Sequence, residues 1–386
     1  MTGPDRALRI LLTNNTLAYR AGSELYVRDL AIALMKRGHF PVAYSPLLGA
    51  VADELRARTI PVIDNLRQMQ QPPDVIHGHH HHETISAMMR YPDTPAIHVC
   101  HGWVPWEETP FAFPNIVRHV AVDALCRERL LTTEHIDPDR ISMIRNFVDC
   151  DRFATVRNLP ERPRTALFFS NYASDVPMAI RTACEAAGIT RIDIAGSGSG
   201  NTIAEPSETL PQYDIVFAKA RAAIEAMASG CAVIVLHQAG LAGMVTPGRA
   251  RQMRDLNFGV RTLQAKRLTH ATLSAELALY DRDDAAAVTR WIRDNASLDA
   301  AVDDWLELYG AVLAEWPSVR AARTHADLLR AGADYLYALA PALKTAHQHE
   351  RERNSARVRA ERLQEEVDGY RGREGATGGT EDTPEP

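Results

Sequence analysis

The sequence has few cysteines, few aromatic residues and no long apolar run, and each shortage excludes a class of protein. Five cysteines in 386 residues form no CxxC pair, which argues against a disulfide framework and predicts free thiols in a reducing compartment. No apolar run approaches the roughly 20 residues that cross a bilayer, and the run near the N-terminus is too short for a signal peptide. We therefore expect a cytoplasmic protein, with peripheral contact at the inner face of the cell membrane left open.

Neither positive nor negative charge is in large excess. The formal net charge is −6, so no general basic field predicts binding to nucleic acid. With 46% hydrophobic and 24% charged residues, the composition is that of a soluble globular protein. The length is sufficient for two domains that each bury a core.

The first half of the sequence alternates between buried strands and amphipathic helices. An apolar strand at 8–13 leads through a glycine-containing loop into a helix, for which Ser23 is the predicted cap and Gly38 the left-handed end. Strand, loop, capped helix, glycine and strand is the pattern of βαβ units in a parallel sheet. The further strands predicted in this half are 40–44, 74–77, 96–100 and 117–122.

The second half repeats this pattern after a polar, proline-containing stretch at 158–163. Its predicted strands are 166–169, 191–194, 214–217 and 232–236, and a helix is predicted at 220–229. Two α/β halves in tandem make the crevice between them the expected ligand site. The predicted boundaries are 1–157 for the first domain, 164–297 for the second, 298–345 for a helical region and 346–386 for a charged helix with a tail.

The C-terminal region differs from both halves in composition. Residues 351–366 are dense in Arg and Glu, which indicates a solvated helix or a weak coiled coil, with self-association through this helix as one prediction. Residues 375–386 are Gly, Thr, Glu and Pro for the most part, and we expect them to be disordered.

The strongest chemical signal is the segment 219–233. A helix that starts directly after a strand offers unpaired backbone N–H groups and a positive dipole end, which suits phosphate, and Lys219 and Arg221 add charge there. Glu225 lies one turn further along, where a carboxylate accepts two hydrogen bonds from a ribose diol. The alternative is that Arg221 and Glu225, at i and i+4, simply pair with each other.

Several segments together resemble a known family. The run Glu-Ala-Met-Ala-Ser-Gly-Cys-Ala-Val at 225–233 is similar to the family 4 glycosyltransferases of the GT-B fold. Four other segments agree in order and spacing: 21–27, 74–79, 99–103 and 144–149. The resemblance covers residues 8 to 250. It implies an α/β protein of two Rossmann-like domains, whose parallel sheets face an interdomain cleft, with a helical C-terminal tail.

The resemblance also implies roles for individual residues. Glu225 matches the glutamate that binds the donor ribose, and His101 matches the first-domain histidine near the donor sugar, where it would be the catalytic residue. The loop at Gly22 would lie near the donor phosphates, where the missing Cβ permits close backbone approach. Gly240 and Gly243, predicted in a loop after the strand 232–236, would lie close to the donor as well.

Two positions depart from the family pattern. A second glutamate is common eight residues before the first, and Phe217 stands there. The usual Arg and Lys after the first strand of the second domain are replaced by the sequence Phe-Phe-Ser-Asn-Tyr at 168–172. Our hypothesis is that Lys219 and Arg221 supply the lost positive charge.

Three further features near the expected cleft have more than one interpretation. The glycine-rich loop 196–200, with Gly198 at its centre, suits a phosphate or a flexible turn. The aromatic loop that begins with Trp103 suits a sugar, a lipid or packing on the first domain. The histidines at 77 and 79–82 permit a metal site, but no matching Cys or carboxylate pattern accompanies them. We expect no metal and no cofactor, and we place Glu24, His79 and Trp103 on the acceptor side.

The resulting interpretation is a metal-independent glycosyltransferase of the hexosyltransferase type. It would move a sugar from a nucleoside-diphosphate sugar to a hydroxyl of a glycan or lipid-linked glycan, as in polysaccharide biosynthesis for the cell envelope. Retention of configuration follows from the family resemblance alone. Two alternatives stay open: a nucleotide-sugar epimerase, and a non-catalytic GT-B protein that binds a nucleotide or sugar and recruits a partner through its helical tail.

Overall fold

The computed structural model describes residues 6–237 and 240–377. The strands of the first domain are β1 Arg9–Thr13, β2 Phe40–Tyr44, β3 Val62–Ile63, β4 Val75–Gly78, β5 Ala96–Cys100, β6 Ile116–Ala121 and β7 Ile141–Met143. Its helices are α1 Gly22–Lys36, α2 Ala50–Ala57, α3 His81–Arg90 and α4 Ala124–Leu131.

The second domain continues the alternation of strands and helices. Its strands are β8 Thr165–Phe169, β9 Arg191–Ala195, β10 Ile215–Ala218, β11 Ala232–His237 and β12 Gly240–Met244. Its helices are α5 Met178–Ala186, α6 Pro206–Thr209, α7 Ala220–Ala228, α8 Pro247–Asp255, α9 His270–Leu277 and α10 Arg282–Asn295. Two more helices follow, α11 Leu298–Ala321 and α12 His325–Thr377.

The first sheet is parallel throughout the part of the chain that the structure describes. Its strands lie in the order β3-β2-β1-β4-β5-β6-β7. The strand order reverses between β1 and β4, and ligands of open α/β sheets bind outside the carboxyl ends of the strands at such a point. The loops that carry Asn14, His79 and His101 follow the carboxyl ends of β1, β4 and β5.

The second sheet has the order β12-β11-β10-β8-β9 over the described residues. Strands β8 to β11 are parallel, whereas β12 pairs antiparallel with β11. The prediction that Gly240 and Gly243 lie in a loop is therefore wrong, because both belong to this edge strand. Their antiparallel pairing with β11 places both glycines along the edge of the second sheet.

Local sequence accounts for most element boundaries. Gly38 ends α1 with φ +84° and Gly230 ends α7 with φ +85°, conformations that cost a residue with a Cβ about 1 kcal/mol or more. The prediction that Ser23 caps α1 is wrong. The helix begins at Gly22 after an extended Ala21, without a side-chain cap, and the Ser23 hydroxyl donates to Glu24 instead.

Helix α11 returns the chain from the second domain to the first. The Leu298 N–H donates to the Val148 carbonyl at 2.9 Å, which fixes the start of the helix at the domain junction. Along its length Trp305 and Tyr309 are fully buried in the same apolar core as Leu30 and Leu34 of α1. The helix therefore supplies part of the first domain's core although it follows the second domain in sequence.

Helix α12 forms a compact unit of its own, separate from the unit that ends at Thr324. From residue 343 to 368 its side chains are exposed, and ion pairs such as Arg357–Glu361 lie along its surface. The helix runs to Thr377, past the start of the segment predicted to be disordered, and residues 378–386 of that segment lie outside the described residues. No helix in the described ranges is both long enough and apolar enough to cross a bilayer.

Candidate active site

His101 follows β5 and forms part of a stack of imidazole rings at the carboxyl edge of the first sheet. Its Nε2 lies 2.6 Å from Nδ1 of His79, and the two rings are stacked with centroids 4.9 Å apart. Burial lowers the pKa of His101 to about 4, against the opposing charge of Glu108 and with a further contribution from His80. His101 is therefore neutral at physiological pH, as a proton acceptor requires.

Side chains of helix α11 hold this stack of imidazole rings in place. The Tyr309 hydroxyl lies 2.6 Å from Nδ1 of His77, whose ring stacks on His79. The indole N–H of Trp305 donates to the Tyr26 hydroxyl at 3.0 Å. The Tyr26 ring in turn meets the rings of His79 and His101 edge-on.

Sequence reasoning did not find Tyr26, Trp305 or Tyr309. The i, i+4 spacing of the two α11 aromatics was the available signal. It indicates a buried helix face and does not say against which element that face packs.

Glu24 and Glu108 bring carboxylates to the same edge. Glu108 is buried, with Oε2 accepting the His101 backbone N–H at 3.0 Å and Oε1 lying 3.6 Å from Nε2 of His80. Glu24 is also buried, and burial raises the pKa of its carboxyl group, although the Ser23 hydroxyl and His80 oppose the shift. A buried carboxyl group with a raised pKa suits proton transfer to or from an acceptor hydroxyl.

Trp103 lies on an exposed loop next to His101. Trp103, Val104 and Trp106 are exposed to 41%, 86% and 52%. Glu108 and Arg129 anchor the loop at its base, Arg129 through a bond of 2.5 Å to the Gly102 carbonyl. The loop thus presents Trp103 outward, while the reading as packing on the first domain fits Trp106, whose ring contacts His81, and Phe111, whose ring contacts His98.

The sequence also left a metal site open at the histidines 77 and 79–82. No group of three or more His, Cys, Asp or Glu side chains is placed to hold a metal ion in the described part of the chain. His77 is bound to Tyr309, and His80 accepts the Asn15 N–H. The imidazoles bind protein groups and one another.

At the second domain, Lys219 lies at the carboxyl end of β10. Its Nζ is 5.1 Å from the centroid of the Tyr172 ring, which follows β8 and meets His237 at the end of β11. Lys219 also precedes α7, a helix whose N-terminus has no side-chain cap. A cation, helix amides and an aromatic ring therefore converge at the point where parallel strands end, which suits a phosphate.

Arg221 does not stand free beside Lys219. Its Nε donates to Oε1 of Glu225 at 2.7 Å, and its Nη2 donates to Oδ2 of Asp29 on α1 of the first domain. The alternative of an Arg221–Glu225 pair is thus what the structure contains, although the pair is buried instead of lying on a helix surface. The hypothesis that Arg221 contributes unpaired charge to a phosphate needs correction, because two carboxylates already neutralise it.

The glycines predicted to approach the donor have different surroundings. Gly22 is open, since a Cβ there would meet nothing within 4 Å. A Cβ on Gly198 would lie 2.8 Å from the Ala173 carbonyl oxygen, so the loop packs on the segment that carries Tyr172. A Cβ on Gly240 would strike the Leu263 carbonyl oxygen, and one on Gly243 would strike the Glu276 carboxylate. Packing therefore explains the last three without a ligand.

An open pocket of about 400 Å³ lies beside β8 and β9 of the second domain. Its lining residues are Leu167, Ala195, Asn201, Thr202, Ile203, Ala204, Glu205, Glu208, Thr209 and Tyr213. The Arg20 side chain from the first domain donates to the Ala204 carbonyl at this loop. The pocket and Lys219 flank the carboxyl ends of neighbouring strands.

Phe217 explains one departure from the family pattern. Its side chain is fully buried in the apolar core between the sheet and α5. No group at this position reaches the crevice, so the role of the missing glutamate is not filled from there.

The two halves of the predicted site meet at the domain junction. Arg221 binds Asp29, and its positive charge counters the burial that raises the pKa of Tyr26, so it lies near the tyrosine that contacts His101. Glu225 bonds to Arg221 and His101 contacts Tyr26, so these residues, predicted from opposite halves of the sequence, both adjoin this buried cluster. Gly240 and Gly243 are not part of it.

Comparisons with known proteins agree with this architecture. The crystal structure of a glycosyltransferase from Rickettsia africae ESF-5 is similar with a TM-score of 0.54 and 16% identity, covering 80% of this chain and 99% of that one. The Anabaena protein Alr3699/HepE, in complex with UDP and glucose, is similar with a TM-score of 0.51 and 13% identity, covering 78% and 99%. At such identities the likeness establishes the fold, which is GT-B.

The family model described as Glycosyltransferase Family 4 matches residues 20–152. A search of curated protein sequences gives no match. The resemblance to family 4 glycosyltransferases with the GT-B fold is therefore confirmed, with the family model carrying the first domain and the solved structures carrying the fold.

Proposed function

We propose that this protein transfers a hexose from a nucleoside-diphosphate sugar to a hydroxyl of a glycan or lipid-linked glycan, with retention and without a metal. The observation that carries the proposal is the approach of Glu225 and His101 from two domains to one buried cluster around Arg221 and Tyr26. Glu225 would bind the ribose and Lys219 the diphosphate. The solved complexes of Alr3699/HepE hold UDP, and one of them holds UDP and glucose, which supports a nucleotide-sugar donor.

In this scheme each group has a chemical task. Lys219 and the N-terminus of α7 stabilise the negative charge that develops on the leaving diphosphate. The pocket beside β8 and β9 takes the nucleobase. His101, neutral at working pH, and Glu24, with its raised pKa, lie on the side from which the acceptor hydroxyl approaches.

A change at Glu225 tests the proposal directly. Titration calorimetry with UDP, GDP, ADP and CDP identifies the nucleotide that binds, and Glu225→Gln should weaken that nucleotide at least 10-fold, because hydrogen bonds to a charged group contribute about 1.5–3 kcal/mol. Glu185→Gln on the exposed side of α5 is the matched control and should bind as the wild type does. Equal affinity of Glu225→Gln and wild type would refute the assignment.

The second prediction concerns Lys219. Lys219→Met should weaken the best nucleoside diphosphate about 10-fold while leaving the corresponding nucleoside, which has no phosphate, unchanged. Lys344→Met, which removes an exposed lysine of α12, serves as the control. A parallel loss for nucleoside and diphosphate would show that Lys219 does not contact phosphate.

One observation favours the alternative of a non-catalytic protein. Phe217 occupies the position of the second family glutamate and is fully buried. Release of free sugar from a nucleotide sugar, or transfer to an added acceptor, should therefore be measured beside binding. Binding without either reaction would favour the non-catalytic protein, and appearance of an epimeric nucleotide sugar would favour the epimerase.

A further inference from the structure

A chain of buried charges crosses from the first domain to the second. Asp29 and Arg28 lie on α1, and Arg221 and Glu225 lie on α7. Asp29, Arg221 and Glu225 are exposed to only 4%, 8% and 5%. At this depth every charge needs a partner, because an unpaired buried charge costs several kcal/mol.

The oxygens of Asp29 are divided between the two domains. Oδ1 accepts from Nε of Arg28 at 2.8 Å, and Oδ2 accepts from Nη2 of Arg221. Burial alone would raise the pKa of Asp29, but the charges of Arg221 and Arg28 reverse this and lower it. The carboxylate is therefore ionised and holds the outer end of the Arg221 guanidinium toward the first domain.

The bond from Nη2 of Arg221 to Asp29 determines how Arg221 binds Glu225. Only Nε of Arg221 bonds to Glu225, at Oε1, and Oε2 has no hydrogen bond among the residues that the structure describes. An arginine four residues from a glutamate, without a second partner, favours the bidentate geometry that occupies both carboxylate oxygens. Because Asp29 holds Nη2, Oε2 of Glu225 is left for another donor.

We propose that Asp29 is a positioning residue for nucleotide binding, which acts from the first domain through Arg221 to keep Oε2 of Glu225 available to the ribose hydroxyls. The inference rests on the proposed function, since Glu225 is the ribose ligand there. Asp29 does not touch the nucleotide itself. By linkage, nucleotide binding and the pairing of Asp29 with Arg221 strengthen each other.

The test compares ribose with deoxyribose. The full-length wild type and its variants are titrated with UDP, GDP, ADP and CDP and with the 2′-deoxy form of whichever binds. The wild type should prefer the ribonucleotide about 10-fold, and Asp29→Asn should bring this ratio close to one. Asp29→Glu, which keeps the charge, should retain the preference within about threefold. Asp303→Asn on α11, which removes one partner of Arg37 just after the end of α1, should leave it unchanged.

A double variant separates positioning from loss of structure. In Asp29→Asn with Arg221→Met, no guanidinium remains to capture Glu225, so part of the ribose preference should return relative to Asp29→Asn alone. An unchanged ratio in Asp29→Asn, or an equal loss in Asp29→Glu, would overturn this inference and leave the proposed function standing. Failure of the wild type to bind any nucleotide would overturn both.

Discussion

Replacing Arg221 with methionine is expected to lower the free energy of unfolding by about 3–5 kcal/mol. The substitution keeps the aliphatic volume but leaves Glu225 buried without its partner and Asp29 with Arg28 alone. Urea unfolding followed by fluorescence measures the change. Arg145→Met is the matched control, since Arg145 also pairs across the domains, with Asp255. Both of these side chains are partly solvated, at 36% and 56% exposure, and the expected loss is below about 1 kcal/mol.

In the same cluster we expect the effects of substitutions on the free energy of unfolding to be non-additive. The triple variant Asp29→Asn, Arg221→Met and Glu225→Gln removes all three charges, while Arg28 keeps Glu54 at 2.9 Å. It should be more stable than Arg221→Met alone, because the cost of the single variant comes from carboxylates left unpaired. A triple variant that loses as much as the three single variants added together would contradict this account.

Stability should fall steeply as the pH drops from 6.5 toward 5. Six histidines, five of them buried and His101 partly buried, have pKa values lowered chiefly by burial: His77 to about 3, His81, His101 and His119 to about 4, and His79 and His98 well below the ordinary value. In the unfolded chain they titrate near 6.5. Between these values the unfolded state binds more protons, so stability present at neutral pH is lost on acidification.

The expected size is large. Each histidine that stays neutral in the fold contributes a slope of up to about 1.4 kcal/mol per pH unit, so half of the six give a loss on the order of 5 kcal/mol by pH 5. That is comparable with the whole stability of a typical domain. Carboxylates whose pKa is lowered, such as Asp29 and Asp214, reduce stability only when they are protonated below about pH 4. The loss of stability between pH 6.5 and 5 therefore comes from the histidines.

Urea midpoints at pH 7.5, 6.5 and 5.5 measure the slope. His98→Leu should reduce it, because neither ring nitrogen of His98 has a hydrogen-bond partner in the described residues and its protonation has no compensation. His349→Leu on the exposed surface of α12 is the control and should leave the slope unchanged. A midpoint that does not move between pH 7.5 and 5.5 would contradict the burial argument.

Elements with a local signal were predicted closely. The strands at 40–44 and 96–100 match β2 and β5, and Gly38 and Gly230 end their helices as expected. Alternation of apolar and polar residues and the need for a left-handed residue act within a few positions, so they are visible in sequence. The antiparallel strand β12 was not predicted, because its pairing with β11 depends on the partner strand and not on the pattern of its own residues.

The candidate site was predicted in part for the same reason. A strand that ends before His101, and a helix that begins after Lys219, place these side chains at carboxyl edges by rule. Tyr26, Trp305 and Tyr309 were missed because α11 joins the first-domain core only after the chain has passed through the second domain. Gly243 was misassigned because the reason for its missing Cβ, the carboxylate of Glu276, lies on another helix.

The sequence by itself determined the alternation of strands and helices, the presence of two α/β halves and the position of Glu225 one turn into a helix. Tertiary structure alone decided what that glutamate meets, since Arg221 binds Asp29 across 192 residues of sequence. Secondary structure follows from interactions over a few residues, whereas the partner of a buried charge is set by which domains pack together. For this reason the pairing of charges in the site could be determined only from the tertiary structure.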